Sequence, residues 1–344
     1  MNQFLQLPPE RRENAFQQVE ERMGLQVFSV EKDFWVCWIL RELFALSDIG
    51  EHLTFKGGTS LSKAWNLIQR FSEDIDLVVD KEALGFGKDA SPESAASKKQ
   101  QRKRLDSLRA ASQKWVQGAL LSALSARITD ILGESGWNLE VDPDTEDGQC
   151  LLFEYPSVLA KGIAGYINPV VKIELGARSD IEPHENRMIR PYVLEQFPAL
   201  DTGGTFSVRV ISTERTFWEK SCLLHEEAYR SPGKTRKPRL ARHYYDLWCM
   251  LKAGIGESAI RDEALFARVV RHRTIYFKVT GVNYESLQAG ELRLMPMEDQ
   301  LRGWKADYES MRGSMFLGQV PDFDEILRAV GKFEQRFNRI RRNG

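Results

Sequence analysis

The stretch "TFKGGTSLSKAWNLIQRFSEDIDLVVD", Thr54 to Asp80, limits what the chain can fold into more than any other part of it. A short apolar run, Leu53 to Phe55, meets Gly57-Gly58, and the stretch closes with Asp74 and Asp76 on either side of a single isoleucine. The pattern reads as strand, turn, helix (Thr59 to Gln69) and strand (Ile75 to Val79). On a strand, residues two apart face one side, so Asp74 and Asp76 project together while Ile75 points into the core. Two like charges that close are costly unless a cation joins them. Alone, D-x-D on a strand is a weak signal, and a solvated surface face is its usual explanation.

The neighbouring turn narrows the choice. Gly57-Gly58 ends a strand and Thr59-Ser60 starts a helix, where unpaired N–H groups and the positive end of the dipole attract phosphate. Glycine lets the backbone approach an anion closely. A plain tight turn with Thr59 as N-cap has the same letters. A Walker loop is excluded, because "GGTSLSK" lacks the second glycine required before Lys63. Cradle and carboxylate pair together imply a hard divalent cation, Mg²⁺ or Mn²⁺, bound with a triphosphate whose charge it offsets.

Further candidates lie downstream. "VVKIELGARSD" supplies a third carboxylate, Glu174, alternating against Val171, Ile173 and Leu175 with Lys172 on its own face; a cross-strand Lys or Arg partner is the competing role. "STERTFWEKSCLLHEEAYR" places Glu219 and Lys220 on a helix whose Phe217, Trp218, Cys222 and Leu224 are core candidates, so the ammonium can extend from a packed stripe toward phosphate or form a surface ion pair. "RHYYDLWCML" sets Asp246 among Tyr244, Tyr245 and Trp248, as a site wall or an i to i+4 partner of Arg242.

The rest of the chain organises around these motifs. Residues 10 to 47 read as two helices, the second carrying Phe34, Trp35, Trp38, Ile39 and Leu43. Lys81 to Arg104, poor in residues to bury, reads as a mobile loop or a partly disordered excursion. A helix from Leu105 to about Leu132 follows, with Leu105, Leu108, Trp115, Ala119 and Leu120 as burial candidates. Strands are expected at Trp137 to Val141, Cys150 to Tyr155, Val170 to Leu175 and Phe206 to Ile211. Helices are expected at Thr213 to Tyr229, Tyr244 to Leu251, Glu257 to Arg271, Met297 to Met311 and Asp322 to Arg339. The chain of 344 residues thus divides into a mixed α/β half, 1–212, and a helical half, 213–344.

Composition bears on partners. The formal net charge is −1, so a polyanion must be met by a local patch. The basic run with Lys234, Arg236, Lys237 and Arg239, between Lys220 and Asp246 in the chain, suits RNA phosphates best; Lys98 to Arg104 and Arg336 to Arg342 read as solvated edges. Cys37, Cys150, Cys222 and Cys249 form no C-x-x-C pair, and no H-E-x-x-H occurs, which argues against zinc and disulfides. With no membrane-length apolar run and no signal-peptide core, the chain reads as cytoplasmic.

"FKGGTSLSK", "RFSEDIDL", "ERTFWEK" and "RHYYDL", in that order, resemble the AbiEii/AbiGii-type nucleotidyltransferase toxins of the DNA polymerase β-like superfamily. The resemblance covers roughly Phe55 to Trp248, and "VEKDFWVCWILRELF" is similar to the family's leading helix. It implies an α/β (α+β) fold, a polymerase β-like core on a mixed sheet followed by a C-terminal helical domain. It also implies transfer of a nucleoside monophosphate from an NTP to an acceptor, such as the tRNA 3′ end, by a toxin with a cognate antitoxin. By resemblance Gly57, Gly58, Thr59 and Ser60 hold the triphosphate, Asp74 and Asp76 the metal, Lys220 the phosphates, and Asp246 is the fourth motif; Glu174 takes the third carboxylate position. Asp246 or Glu174 is the expected proton acceptor. A nucleotide-binding module without transfer, or transfer to a protein or small molecule, are the competing readings.

Overall fold

The structure is a computed structural model and describes residues 1–72, 74–159, 169–200, 203–230, 236–313, 315–316 and 318–343. The chain forms two compact units: unit 1 holds Met1–Ala64 and Ser72–Val210, and unit 2 holds Trp65–Phe71 and Ile211–Gly344. The helical unit therefore includes seven residues that lie, in sequence, between the glycine turn and the aspartate pair.

Unit 1 opens with α1 (Asn2–Leu5), α2 (Pro9–Met23) and α3 (Val27–Ala45). Pro9 pre-sets the first turn of α2, and Gly24, left-handed at φ 67°, ends it by donating its N–H to Glu20 O. Helix α3 is buried on most of its surface: Phe34, Trp35, Trp38, Ile39 and Leu43 are each at most 1% exposed. Trp35 stacks on Tyr155 at 5.4 Å and Trp38 on Phe153 at 5.8 Å, so the helix docks on the sheet through aromatic rings.

That sheet has seven strands, β1 (Leu53–Lys56), β2 (Ile75–Val79), β3 (Asn138–Val141), β4 (Cys150–Glu154), β5 (Val170–Gly176), β6 (His184–Ile189) and β7 (Phe206–Ile211), in the order β3-β4-β5-β2-β1-β7-β6. It is mixed: β2 runs antiparallel to β1 and parallel to β5. Bracketed on both sides, β2 is the central strand, where backbone position is held most firmly. The helices α4 (Gly57–Lys63), α5 (Lys98–Trp115), α6 (Leu121–Leu132) and α7 (Tyr192–Gln196) complete unit 1.

Four local expectations change. The first helix of the motif spans Gly57–Lys63 rather than Thr59 to Gln69, because the chain then passes into unit 2. Lys81 to Arg104 is ordered by polar contacts in place of apolar burial: Lys81 pairs with Glu93, Arg104 donates to Ser91 O at 2.7 Å, and Ser97 caps α5 from Gln100 N. A π-helical turn at Val116–Leu120 shifts the phase between α5 and α6, which buries Val116 and Leu120, exposes Ala119, and leaves Leu105 and Trp115 half-buried. Strand β6, "HENRMI", is too polar to show the alternation of a strand and pairs only at the sheet edge.

Unit 2 contains α8 (Thr213–Ala228), α9 (Arg242–Lys252), α10 (Ile255–Arg261), α11 (Glu263–Tyr276), α12 (Tyr284–Gln288), α13 (Glu298–Arg312) and α14 (Phe323–Asn343). The single helix expected over Glu257 to Arg271 is broken at Asp262, whose carboxylate accepts from Leu265 N at 2.9 Å and so starts α11 afresh. Its core joins Trp218 to Phe266 at 4.5 Å and Phe217 to Phe333 at 4.9 Å. The segment Trp65–Phe71 is stitched in by backbone and side chain: Phe71 N donates to Met315 O at 2.7 Å, Arg70 bridges to Phe316, and the Tyr245 hydroxyl donates to Gln69 O at 3.1 Å. No described helix is long and apolar enough to cross a membrane.

Candidate active site

In unit 1 the glycine turn and the aspartates meet through strand pairing. Lys56, the last residue of β1, lies opposite Asp76 in the antiparallel register. The next residue, Gly57, has φ +79°, and a Cβ there would fall 1.8 Å from Asp76 Oδ2. The Asp76 carboxylate thus packs against the α-carbon of the turn, a space that only glycine leaves open. Thr59 and Ser60 are buried, and their hydroxyls are used internally. Thr59 Oγ1 donates to Asp74 O at 2.5 Å and lies 2.9 Å from Ser72 Oγ, which must be the donor in that second bond; Ser60 Oγ donates to Gly57 O at 2.9 Å. Thr59 is therefore not an N-cap: it fastens the helix start to the residue before β2. What the turn offers a phosphate is backbone N–H, with Gly57 and Gly58 partly exposed.

Asp76 pairs in parallel register with Glu174 of β5, so the two carboxylates leave the sheet on one face from adjacent strands. Lys172, two residues back on that face, contacts Asp142 at 2.9 Å and Glu174 at 3.8 Å. Its closer bond is to Asp142, and Glu174 stays half-exposed. Among the described residues no three His, Cys, Asp or Glu side chains converge on a ready ligand cluster. Mg²⁺ or Mn²⁺ needs only one or two protein carboxylates and fills its shell with water and substrate phosphate. All-oxygen donors beside an open glycine backbone fit such an ion. Lys63, despite its place in "GGTSLSK", is turned elsewhere: its ammonium contacts Asp33 at 2.8 Å and sits 3.6 Å from the centre of the Tyr192 ring, anchoring α4 to α3 and α7.

Gly57→Ala tests this packing. The substitution imposes an unfavourable positive φ and pushes the Asp76 carboxylate aside, and a displacement of about 1 Å at a reacting centre costs about 10²-fold in rate. Transfer assayed beside the melting temperature is expected to show the rate falling by about that factor. An unchanged rate would mean that Asp76 does not work from this position.

In unit 2 a second cluster forms between α8 and α9. Ser212 caps α8, whose buried length carries Lys220. Lys220 Nζ donates to Asp246 Oδ2 at 2.8 Å and lies 3.4 Å from His243 Nδ1. Arg70 grips the same carboxylate with a fork, Nε to Oδ1 at 2.7 Å and an Nη to Oδ2 at 2.9 Å. The side chains of Asp246, Arg70 and Lys220 are 0%, 3% and 8% exposed. Burial raises the Asp246 pKa, but the charges of Arg70 and Lys220 outweigh it and hold the carboxyl well below its usual range. Burial lowers the Lys220 pKa; Asp246 opposes that and Arg70 adds to it, leaving a net fall. Burial, with Lys220 next, likewise pushes His243 well down, so its imidazole is neutral. Arg242, the helical partner that the competing reading gave Asp246, is thus replaced by two cations from elsewhere in the unit. Glu219 pairs with Arg215 at 3.0 Å.

The family model described as "Nucleotidyl transferase AbiEii toxin, Type IV TA system" matches residues 38–329. The chain belongs to the AbiEii nucleotidyltransferase toxin family. It is a nucleotidyltransferase, with the α/β core and C-terminal helical region expected of it. Two solved structures are similar. MenT4, a nucleotidyltransferase toxin from Mycobacterium tuberculosis H37Rv, shares 18% identity at a TM-score of 0.49, over 94% of this chain and 92% of that one. JHP933 from Helicobacter pylori shares 16% at 0.42, over 91% and 92%. No curated protein matches the chain.

In this AbiEii-family toxin the basic run divides. Lys234 lies outside the described residues. The Arg236 guanidinium sits 3.8 Å from the centre of the Trp304 ring and 3.6 Å from Glu227, a packing role. Lys237 and Arg239 are exposed. Sequence reasoning missed Arg70 and His243. His243 adjoins the "YYDL" motif and could have been singled out, whereas nothing local marks Arg70 as the partner of a residue 176 positions away.

Proposed function

We propose that this AbiEii-family toxin moves a nucleoside monophosphate from an NTP to RNA, with the tRNA 3′ end as acceptor, in a reaction dependent on Mg²⁺ or Mn²⁺, and that a cognate antitoxin counters it. The observation that carries the reading is the Asp76 carboxylate lying against the Gly57 α-carbon, one strand from Glu174. Asp74 and Asp76, with Glu174 beside them, would hold the metal. When bound, the metal offsets charge on the phosphate oxygens and on the pyrophosphate that leaves. Backbone N–H groups of Gly57, Gly58, Thr59 and Ser60 bind the triphosphate tail, while the Thr59 and Ser60 side chains keep the turn in shape.

The acceptor hydroxyl oxygen attacks the α-phosphorus, the bond to the bridging oxygen breaks, and pyrophosphate departs with that electron pair. Lys220, with two N–H groups engaged by Asp246 and His243, has one left for a phosphate oxygen. Asp246 has both oxygens bound to cations, so it positions Lys220, and the half-exposed Glu174 is the group suited to accept the hydroxyl proton. The exposed Lys237 and Arg239 supply charge for an RNA backbone.

The test is incubation of the purified protein with each α-labelled nucleotide, total tRNA and Mg²⁺, followed by gel separation. Label entering tRNA, and lost with a chelator, is the expected result. Label on protein or on a small molecule redirects the acceptor, and bound nucleotide that is never transferred means a binding module.

A further inference from the structure

Arg70 opens the quoted block "RFSEDIDL" but is assigned no role by the resemblance, yet among the described residues it alone engages both oxygens of Asp246. We propose that Arg70 is a positioning residue for Lys220: its fork fixes the plane of the Asp246 carboxylate, and its charge leaves the lysine a net positive group for phosphate. The proposal rests on Lys220 as the phosphate-binding cation of the reading above.

Three observations within unit 2 support it. First, the fork engages both oxygens, at 2.7 and 2.9 Å, so the carboxylate cannot rotate about its own bond, and the remaining lone pair of Oδ2 points to Lys220 Nζ at 2.8 Å. Second, the charges do not cancel. Two buried cations share one carboxylate, and the nearby His243 is neutral, so the cluster is poised for an anion. Without Arg70, Asp246 would neutralise Lys220 alone and the phosphate would lose its counter-charge. Third, Arg70 is held independently of its side chain, by its bridge to Phe316 and by the Phe71 N to Met315 O bond, so its guanidinium starts from a fixed backbone.

The groups facing the Lys220 ammonium are Asp246, His243 and Arg242 of α9, and Arg70. Arg70 lowers the lysine's pKa, and removing it must raise that pKa. The test compares Arg70→Gln with Arg70→Lys. In Arg70→Gln, KM for the nucleotide is expected to rise by about tenfold or more, and the alkaline limb of kcat/KM to move to higher pH. In Arg70→Lys the charge stays but the fork is lost, so kcat/KM falls while the limb keeps its wild-type position. A merely structural role would lower the melting temperature and leave the limb of both folded variants alone.

The second readout needs no turnover: the rate at which acetic anhydride acylates Lys220, followed by peptide mass spectrometry across pH, is expected to show the same displacement in Arg70→Gln. Wild-type profiles in both variants, with kcat/KM within twofold of wild type, would overturn the proposal. Should Arg70→Gln not fold, Arg70→Lys decides by its kcat/KM. If the wild-type protein transfers no nucleotide, the functional reading fails, and the acylation profile still judges Arg70.

Discussion

Asp76→Ala is expected to reduce nucleotide transfer by about 10³-fold or more while leaving the melting temperature within a few degrees of wild type. The two outcomes separate because of where Asp76 sits. Its neighbours on the central strand, Ile75 and Leu77, carry the burial, at 0% and 3% exposure. The Asp76 side chain shares its face with Glu174, so removing one of two like charges relieves that repulsion. On the proposed reading the loss in rate comes from the metal: a ligand carboxylate would offset several kcal/mol of transition-state charge, and each ~1.4 kcal/mol is a factor of ten. Parallel transfer assays and melting curves measure both. A rate within tenfold of wild type would leave the carboxylate as a solvated surface group.

The second large effect is on stability. Asp246→Ala is expected to destabilise the protein by about 3–5 kcal/mol, because it leaves Arg70 and Lys220 as two buried cations with no anion between them. Arg70→Gln removes only one of the two, and Asp246 still pairs with Lys220, so its cost is expected to be smaller. The sign with pH follows from the depressed carboxyl pKa. A folded value below the unfolded one, about 3.9, gives stability that is complete above that pH and is lost as pH falls through the acid range. Denaturant melts of wild type and Asp246→Ala at neutral pH and in acid measure this: the gap is widest at neutral pH and closes in acid. A gap that does not change with pH would mean that the ion pairs contribute nothing.

The sequence made the central motif legible for a physical reason. Strand β2 is short and apolar except for Asp76, and the two glycines that open α4 break the pattern where the backbone turns, so both elements and their chemistry appear within one local window. The aromatic face of α3 was equally plain. What sequence could not show depends on partners far along the chain. Thr59 as an N-cap is one of two readings its letters allow until its hydroxyl is seen on Asp74 O, and nothing local marks Lys63 as the partner of Asp33 and Tyr192. Asp246 reads as a site wall or as the i to i+4 partner of Arg242, yet the arginine that binds it arrives from Trp65–Phe71. Polar order, as in Lys81 to Arg104, is invisible to a reading that looks for apolar periodicity.

The most direct test of the central claim is Mn²⁺ binding together with a non-hydrolysable nucleotide, followed by electron paramagnetic resonance, in wild type and in the Asp74→Asn, Asp76→Asn double variant. The account predicts that the wild-type protein takes up the manganese–nucleotide pair and that the double variant, still folded, leaves both in solution. Equal uptake by the two proteins would contradict it.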